Sequence, residues 1–132
     1  MRTLRFYEHD TSQAQIDLGD KGDSPGAPFI SSGDLFDHKG GKKIGRVGGS
    51  CETVSVGAEH AESVCTANTV LPGGQLVGQG IANTAELFGG KAVPSAIIGG
   101  TGVYRSVHGA GTVSVPPDVP NYTDAIFIVR LS

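Results

Sequence analysis

Glu8 and Asp10 stand two residues apart in the run Thr3-Leu4-Arg5-Phe6-Tyr7-Glu8-His9-Asp10. Apolar and polar residues alternate there at period two, the pattern of a β-strand. Leu4, Phe6, Glu8 and Asp10 then share one face, with Arg5, Tyr7 and His9 on the other. A face that begins apolar and ends in two acids either leaves the core for water or carries the acids into an enclosed space. In water they are ordinary solvated side chains. Enclosed, they repel each other, one pKa rises, and the pair divides into a general acid and a base or orienting group. His108 follows the run Gly99-Gly100-Thr101-Gly102 and shares a strand face with Ala110, Thr112 and Ser114. A histidine among small polar residues suits a proton shuttle facing Asp10; a surface histidine is the alternative. His9, His38 and His60 read as solvated, on the opposite face or in loops.

Other chemistries find less support. Cys51 shares parity with Val47, Gly49 and Thr53; an inert buried thiol is the default reading, and pocket lining suits it better than the role of nucleophile. Neither Ser50 nor Cys51 sits in a Gly-x-Ser-x-Gly elbow. No two histidines have a zinc-like spacing, so no metal is expected. Gly99-Gly100-Thr101-Gly102 lacks the lysine and following helix of a phosphate-binding loop and reads as a structural turn. Asn121-Tyr122-Thr123 matches a glycosylation sequon by pattern only. A net charge of −3 without a basic patch argues against nucleic acid. No apolar run reaches the roughly 18 residues of a membrane span. The N-terminal residues lack the apolar core of a signal peptide, so a cytoplasmic setting is expected. There Cys51 and Cys65 are expected to be thiols, with a bridge across a hairpin as the open alternative.

The elements that must position these residues are strands. The 132 residues are expected to form one domain, 1–132, large enough for its own core. Extended segments are predicted over 3–10 (running on through 14–18), 29–37, 42–56, 63–71, 75–85, 92–98, 107–115 and 122–131. Loops fall at 19–26, 57–62 and 116–121, sharp turns at 38–41, 72–74 and 99–102, and short helical turns at 58–64 and 82–88. No helix is long enough for a parallel crossover, so the class is all-β and antiparallel. The 21 glycines favour closing the sheet, because bent strands need them. The expectation is an eight-stranded antiparallel up-and-down β-barrel whose lumen holds one small ligand. On the lumen face of the fifth strand, Leu76, Gly78, Gly80 and Ala82 are mostly small and leave volume unfilled. Leu4, Phe6, Phe29, Leu35 and Leu76 are the expected apolar lining.

The ordered motifs resemble a family. Phe6-Tyr7-Glu8-His9-Asp10 resembles the first-strand Phe-Tyr-any-His-Asp of plant dirigent proteins. Ile44-Gly45-Arg46-Val47-Gly48-Gly49 is similar to their Val-Gly-Arg-Ala-Gln-Gly, and Gly99-Gly100-Thr101-Gly102 with Val107-His108-Gly109 to their Gly-Gly-Thr-Gly turn and Ala-Arg-Gly strand. The allene oxide cyclases share the plan: Tyr7-Glu8, Gly49-Ser50-Cys51 and Gly74-Gln75-Leu76-Val77-Gly78-Gln79-Gly80 resemble their Tyr-Glu, Gly-Leu-Cys and Gly-His-Leu-Ser-Val-Gln-Gly. The resemblance covers nearly the whole chain and implies an eight-stranded barrel, commonly trimeric, that works without cofactor. By position it implies that Glu8 matches a lumen glutamate of the cyclases. Asp10 matches a cyclase asparagine and a dirigent catalytic-site aspartate. Cys51 matches a lumen cysteine, and His108 a pocket arginine of dirigent proteins. Ala82 departs from a pocket tyrosine of the cyclases, so their allene oxide substrate is not carried over.

Three readings follow. The first is a cofactor-independent cyclase or isomerase that folds a mostly apolar, reactive metabolite, polyketide-like or terpenoid-like, with Asp10 and Glu8 giving acid–base help and His108 and Tyr104 as partners. The second is a lipocalin-like carrier of a small hydrophobic metabolite. The third is a structural subunit with a collapsed lumen. A homo-oligomer, dimer or trimer, is expected in each.

Overall fold

The structure, a computed structural model, describes residues 2–15, 28–56 and 61–132. Its eight strands are β1 (Arg2–Gln15), β2 (Pro28–Phe36), β3 (Lys43–Ser55), β4 (Glu62–Leu71), β5 (Gly74–Asn83), β6 (Val93–Gly100), β7 (Gly109–Ser114) and β8 (Asp124–Leu131). Each pairs antiparallel with the next, and β8 pairs back onto β1, so the sheet closes into the expected up-and-down barrel. Closure leaves no sheet edge to protect.

Boundaries shift where backbone partners decide them. The single helix among the described residues, α1 (Thr84–Phe88), answers the helical turn expected at 82–88; Asn83 caps it, its Oδ1 accepting from Glu86 N at 3.0 Å. The turn expected at 58–64 is overruled from residue 62 onward, because Glu62 pairs with Asn83 at the head of β4. Residues 58–60, His60 among them, lie outside the described residues, as do the loop expected at 19–26, residues 57–60 of the loop expected at 57–62 and residues 16–18 of the extended stretch expected at 14–18. Gly99 and Gly100 do not form the sharp connection. They finish β6, where a side chain at Gly100 would meet Tyr104 O and Gln75 O at under 3 Å. The connection follows as a 3₁₀ turn, Gly102–Tyr104, so β7 begins at Gly109 instead of 107.

Side-chain volume is distributed unevenly along the barrel. At the base, where the chain's ends lie, Phe6, Leu35, Val47, Leu71, Leu76 and Val129 belong to one buried cluster. Leu35 is fully buried, and the Phe6 and Phe127 rings stack with centroids 5.2 Å apart. Tyr104, brought in by the 3₁₀ turn, joins this cluster and carries the Arg2 guanidinium 5.6 Å from its ring centroid. The opposite end has a smaller cluster, Leu87, Val93 and Val115, with Ala82, Phe88 and Val113 against it. The barrel is therefore plugged at its base and open at its mouth.

Cys51 and Cys65 are a disulfide, which overturns the expectation of two thiols. They are direct partners in the β3–β4 register, with Cα atoms 4.0 Å apart, so their side chains leave the same face of adjacent strands. Parity within each strand could not reveal a register across two. Replacing both cysteines by serine is expected to lower the stability by about 2–3 kcal/mol, the magnitude for a closed loop of this length. Urea denaturation of the double variant against the wild type measures it; equal midpoints and slopes would show that the bridge contributes nothing.

Candidate functional site

A cavity of about 110 Å³ opens at the mouth. Gly78, Gly80 and Ala82 of β5 and Gly49 of β3 form its small-residue wall, as their parity implies. Phe29, Val47, Val113, Val115 and Phe127 supply apolar surface, and the Cys51–Cys65 bridge lines it too. A smaller void of about 30 Å³ lies nearer the base, bordered by Phe6, Leu76 and Ile97, and shares Ala67, Gly78, Ser95 and Phe127 with the main cavity. A lumen this open removes the collapsed-subunit reading.

Glu8 and Asp10 both line the cavity, and each is only 8% exposed. The strand therefore carries its acids inward. Asp10 is fixed by two hydrogen bonds, and the side chain that makes one of them is itself anchored. Its backbone N donates to Thr123 O at 2.6 Å, its Oδ2 accepts from Gln13 Nε2 at 3.0 Å, and Gln13 Nε2 also reaches Tyr122 O at 3.2 Å. The β1–β2 register shifts between Asp10 and Ser12, a bulge that re-aims the strand just past the acid. Gly33 faces Asp10 across this pair, and a Cβ there would lie 2.2 Å from His9 O and 2.7 Å from Asp10 Cα, so the approach needs glycine. Asp10 Oδ1 is buried and makes no hydrogen bond.

Burial pushes the Glu8 carboxyl up to about 9, and hydrogen bonding and charge from Asp10, then the charge of Asp124, act in the same direction. Glu8 thus holds its proton at neutral pH. Asp124 opens β8 opposite His9 and also lines the cavity. Burial opposes its charge, yet hydrogen bonds from Tyr7, His9 and Thr123, with the charge of His9, hold its carboxyl below the ordinary range. His9 Nδ1 lies 2.7 Å from Asp124 Oδ1, and Tyr7 donates its hydroxyl to Asp124 Oδ2. Burial, then the hydrogen bond and charge of Asp124, raise the Tyr7 phenol above its ordinary range.

The other candidates separate by depth. Phe29 and Cys51 line the main cavity; Phe6 and Leu76 line the inner void. Leu35 and Tyr104 are core of the base, and Leu4 packs on that core, so these three are not brought to the cavity. His108 is also elsewhere: it is exposed at the base before β7, where its carbonyl accepts from Ser132 N at 2.9 Å. The inward face of β7 carries Gly111 and Val113 instead, so the parity assigned to His108 faces outward and it cannot shuttle protons to Asp10. Sequence reasoning missed Asp124, Phe88 and Tyr122. Phe88 and Tyr122 sit with ring centroids 4.9 Å apart, and Phe29 and Phe88 at 6.2 Å, forming an aromatic rim on the cavity.

The sequence profile described as "Allene oxide cyclase barrel like domain" matches residues 7–126. No curated protein matches the chain by sequence. Among solved structures, a pyocyanin demethylase superposes with a TM-score of 0.83 at 24% identity, covering 99% of this chain and 100% of that one. A pterocarpan synthase dirigent protein gives 0.72 at 19% identity, covering 98% and 82%. The Diels–Alderase AbmU from Streptomyces koyangensis gives 0.74 at 17% identity, covering 97% and 63%. At such identities the likeness is one of fold.

Glu8 also sets a pH dependence of stability. Its folded value lies above the ordinary 4.5, so between 4.5 and about 9 the native state binds more protons than the unfolded chain. Stability from this group is complete below 4.5 and falls as pH rises, by at most about 1.4 kcal/mol per pH unit. Glu8→Gln, uncharged at every pH, is expected to flatten that decline. Melting temperatures of both proteins from about pH 5 to about pH 9 test it; parallel profiles would show that Glu8 titrates normally.

Proposed function

The chain belongs to the allene oxide cyclase barrel like family, and on that premise we propose that it is a cofactor-independent cyclase or isomerase acting on a mostly apolar small molecule. The observation that carries this reading is the buried Glu8–Asp10 pair at an otherwise largely apolar cavity. Glu8, holding its proton, is the general acid, protonating an oxygen or an unsaturated carbon of the bound molecule. Asp10 Oδ1, with no hydrogen bond of its own, receives a proton or orients a donor of the substrate. The closed wall excludes water and holds one folded conformer, so orientation supplies much of the acceleration. No electrons are exchanged; bonds and a proton are rearranged within one molecule.

The Diels–Alderase and dirigent structures support the choice of chemistry by analogy of fold, and with it a place in secondary metabolism on polyketide-like or terpenoid-like intermediates. Assembly into a homo-oligomer belongs to the same proposal, supported by exposed Ile30, Val54, Ile81 and Ile98. Among the described residues no helix is long and apolar enough to cross a membrane. The Cys51–Cys65 bridge favours an oxidising compartment over the cytoplasm expected from sequence.

Incubation with candidate linear intermediates, followed by chromatography and mass spectrometry, tests the reading. The product must keep the substrate's mass and change its retention. Asp10→Asn and Glu8→Gln are each expected to slow turnover by ~100-fold while circular dichroism stays that of the wild type. Unchanged turnover in both variants removes the acids from the mechanism. A hydrophobic ligand that co-purifies and is never converted would instead make the barrel a carrier.

A further inference from the structure

Among the described residues the charges are sorted along the barrel. Arg2, Lys39, Lys42, Lys43, Arg105 and Arg130 cluster at the base, in the strand ends and base-side connections, with two acids beside them, Asp37 and Asp34, the latter 3.1 Å from Lys43 Nζ. The mouth carries Glu62, Glu86, Asp118 and Asp124, with Glu8 and Asp10 just inside. Lys91 also lies at the mouth, where its Nζ meets Glu86 at 3.0 Å. Of the described residues that line the cavity, Glu8, Asp10 and Asp124 are acidic and none is Lys, Arg or His. A field with this direction draws positive molecules to the mouth and repels negative ones.

We infer that the cavity takes an organic cation, a nitrogen-centred positive charge on an apolar body of one or two rings. The inference rests on the cavity being the substrate site and names the charge class of what it binds. Three observations converge on it. Asp10 Oδ1 is buried on the cavity side of β1 and, apart from the proton that Glu8 brings to the pair, has no donor, so a bound charge or donor completes it. Three carboxyl side chains, Glu8, Asp10 and Asp124, enter the space with no cationic side chain among the described lining residues, and Tyr7, His9 and Thr123 hold the Asp124 carboxylate. The Phe29, Phe88 and Tyr122 rings border the same space and offer π-faces to a poorly hydrated cation. A neutral donor would satisfy Asp10 alone; the rings and the axial field favour full positive charge. The volume, about 110 Å³, limits the body to a compact one.

Three probes of similar shape separate the possibilities: N-methylquinolinium, quinoline and 1-naphthoate, titrated calorimetrically near neutral pH. N-methylquinolinium is expected to bind ~10-fold tighter than quinoline, with 1-naphthoate weakest. Raising salt from ~0.02 to ~0.3 M should shrink the cation's advantage severalfold. Asp10→Asn should erase most of it, and Phe88→Ala with Tyr122→Ala, on the rim, should weaken the cation more than quinoline. Equal affinities, the reverse order, or no binding of the cation at millimolar concentration overturns the inference. Cation binding with no substrate ever converted would sink the cyclase reading and leave this one standing. Turnover confined to neutral or anionic substrates would do the opposite.

Discussion

Closing eight antiparallel strands into a barrel satisfies every ladder but leaves an axial volume that inward side chains must fill or leave empty. This chain does both, at opposite ends. Leu35, Leu71, Leu76, Phe6 and Tyr104 pack the base, with only a small void beside Phe6 and Leu76, while Gly49, Gly78, Gly80 and Ala82 leave the mouth open. The plug makes the empty end tolerable: its buried apolar surface stabilises the closed sheet, and the small residues need not contribute. An inward leucine at Gly78 would meet Ser95 and Ile97 where the two voids share their lining.

The electrostatics of the mouth follow from where that emptiness begins. Glu8 and Asp10 lie past the plug on the same face as Phe6, so their carboxyls enter a space that offers little solvation. Burial, with the hydrogen bonding and charge of Asp10, keeps the proton on Glu8. Asp124 escapes that fate because Tyr7, His9 and Thr123 all donate to it. Two carboxyls on one rim thus differ in protonation through their neighbours alone.

The frame that holds the acids is assembled from distant parts of the chain. Asp10 is anchored by Thr123 and Gln13, approached by Gly33 and followed by a bulge. The aromatic rim joins β2, α1 and the loop before β8. In that loop Asn121 and Tyr122 both hold positive φ, a conformation ordinary side chains avoid and the surrounding closure imposes. Across the cavity the Cys51–Cys65 bridge ties β3 to β4.

Period-two alternation by itself determined the strands, their number and the face on which Glu8, Asp10, Gly78 and Ala82 lie, because parity is local. The ordered glycine motifs carried the closed barrel and its family. Pairing register and depth along the barrel axis were decided only by the tertiary structure. Parity could not place Leu35 and Tyr104 in the plug instead of the cavity wall, since both depths share one face. It could not show that Cys51 faces Cys65, which is a relation between strands. It grouped His108 with Ala110, Thr112 and Ser114 but could not say which face of β7 turns inward, and His108 itself precedes the strand, after a 3₁₀ turn that Tyr104 anchors in the core. Phe88, Tyr122 and Asp124 carry no pattern of their own; they become a site only when strand closure brings their loops to one mouth.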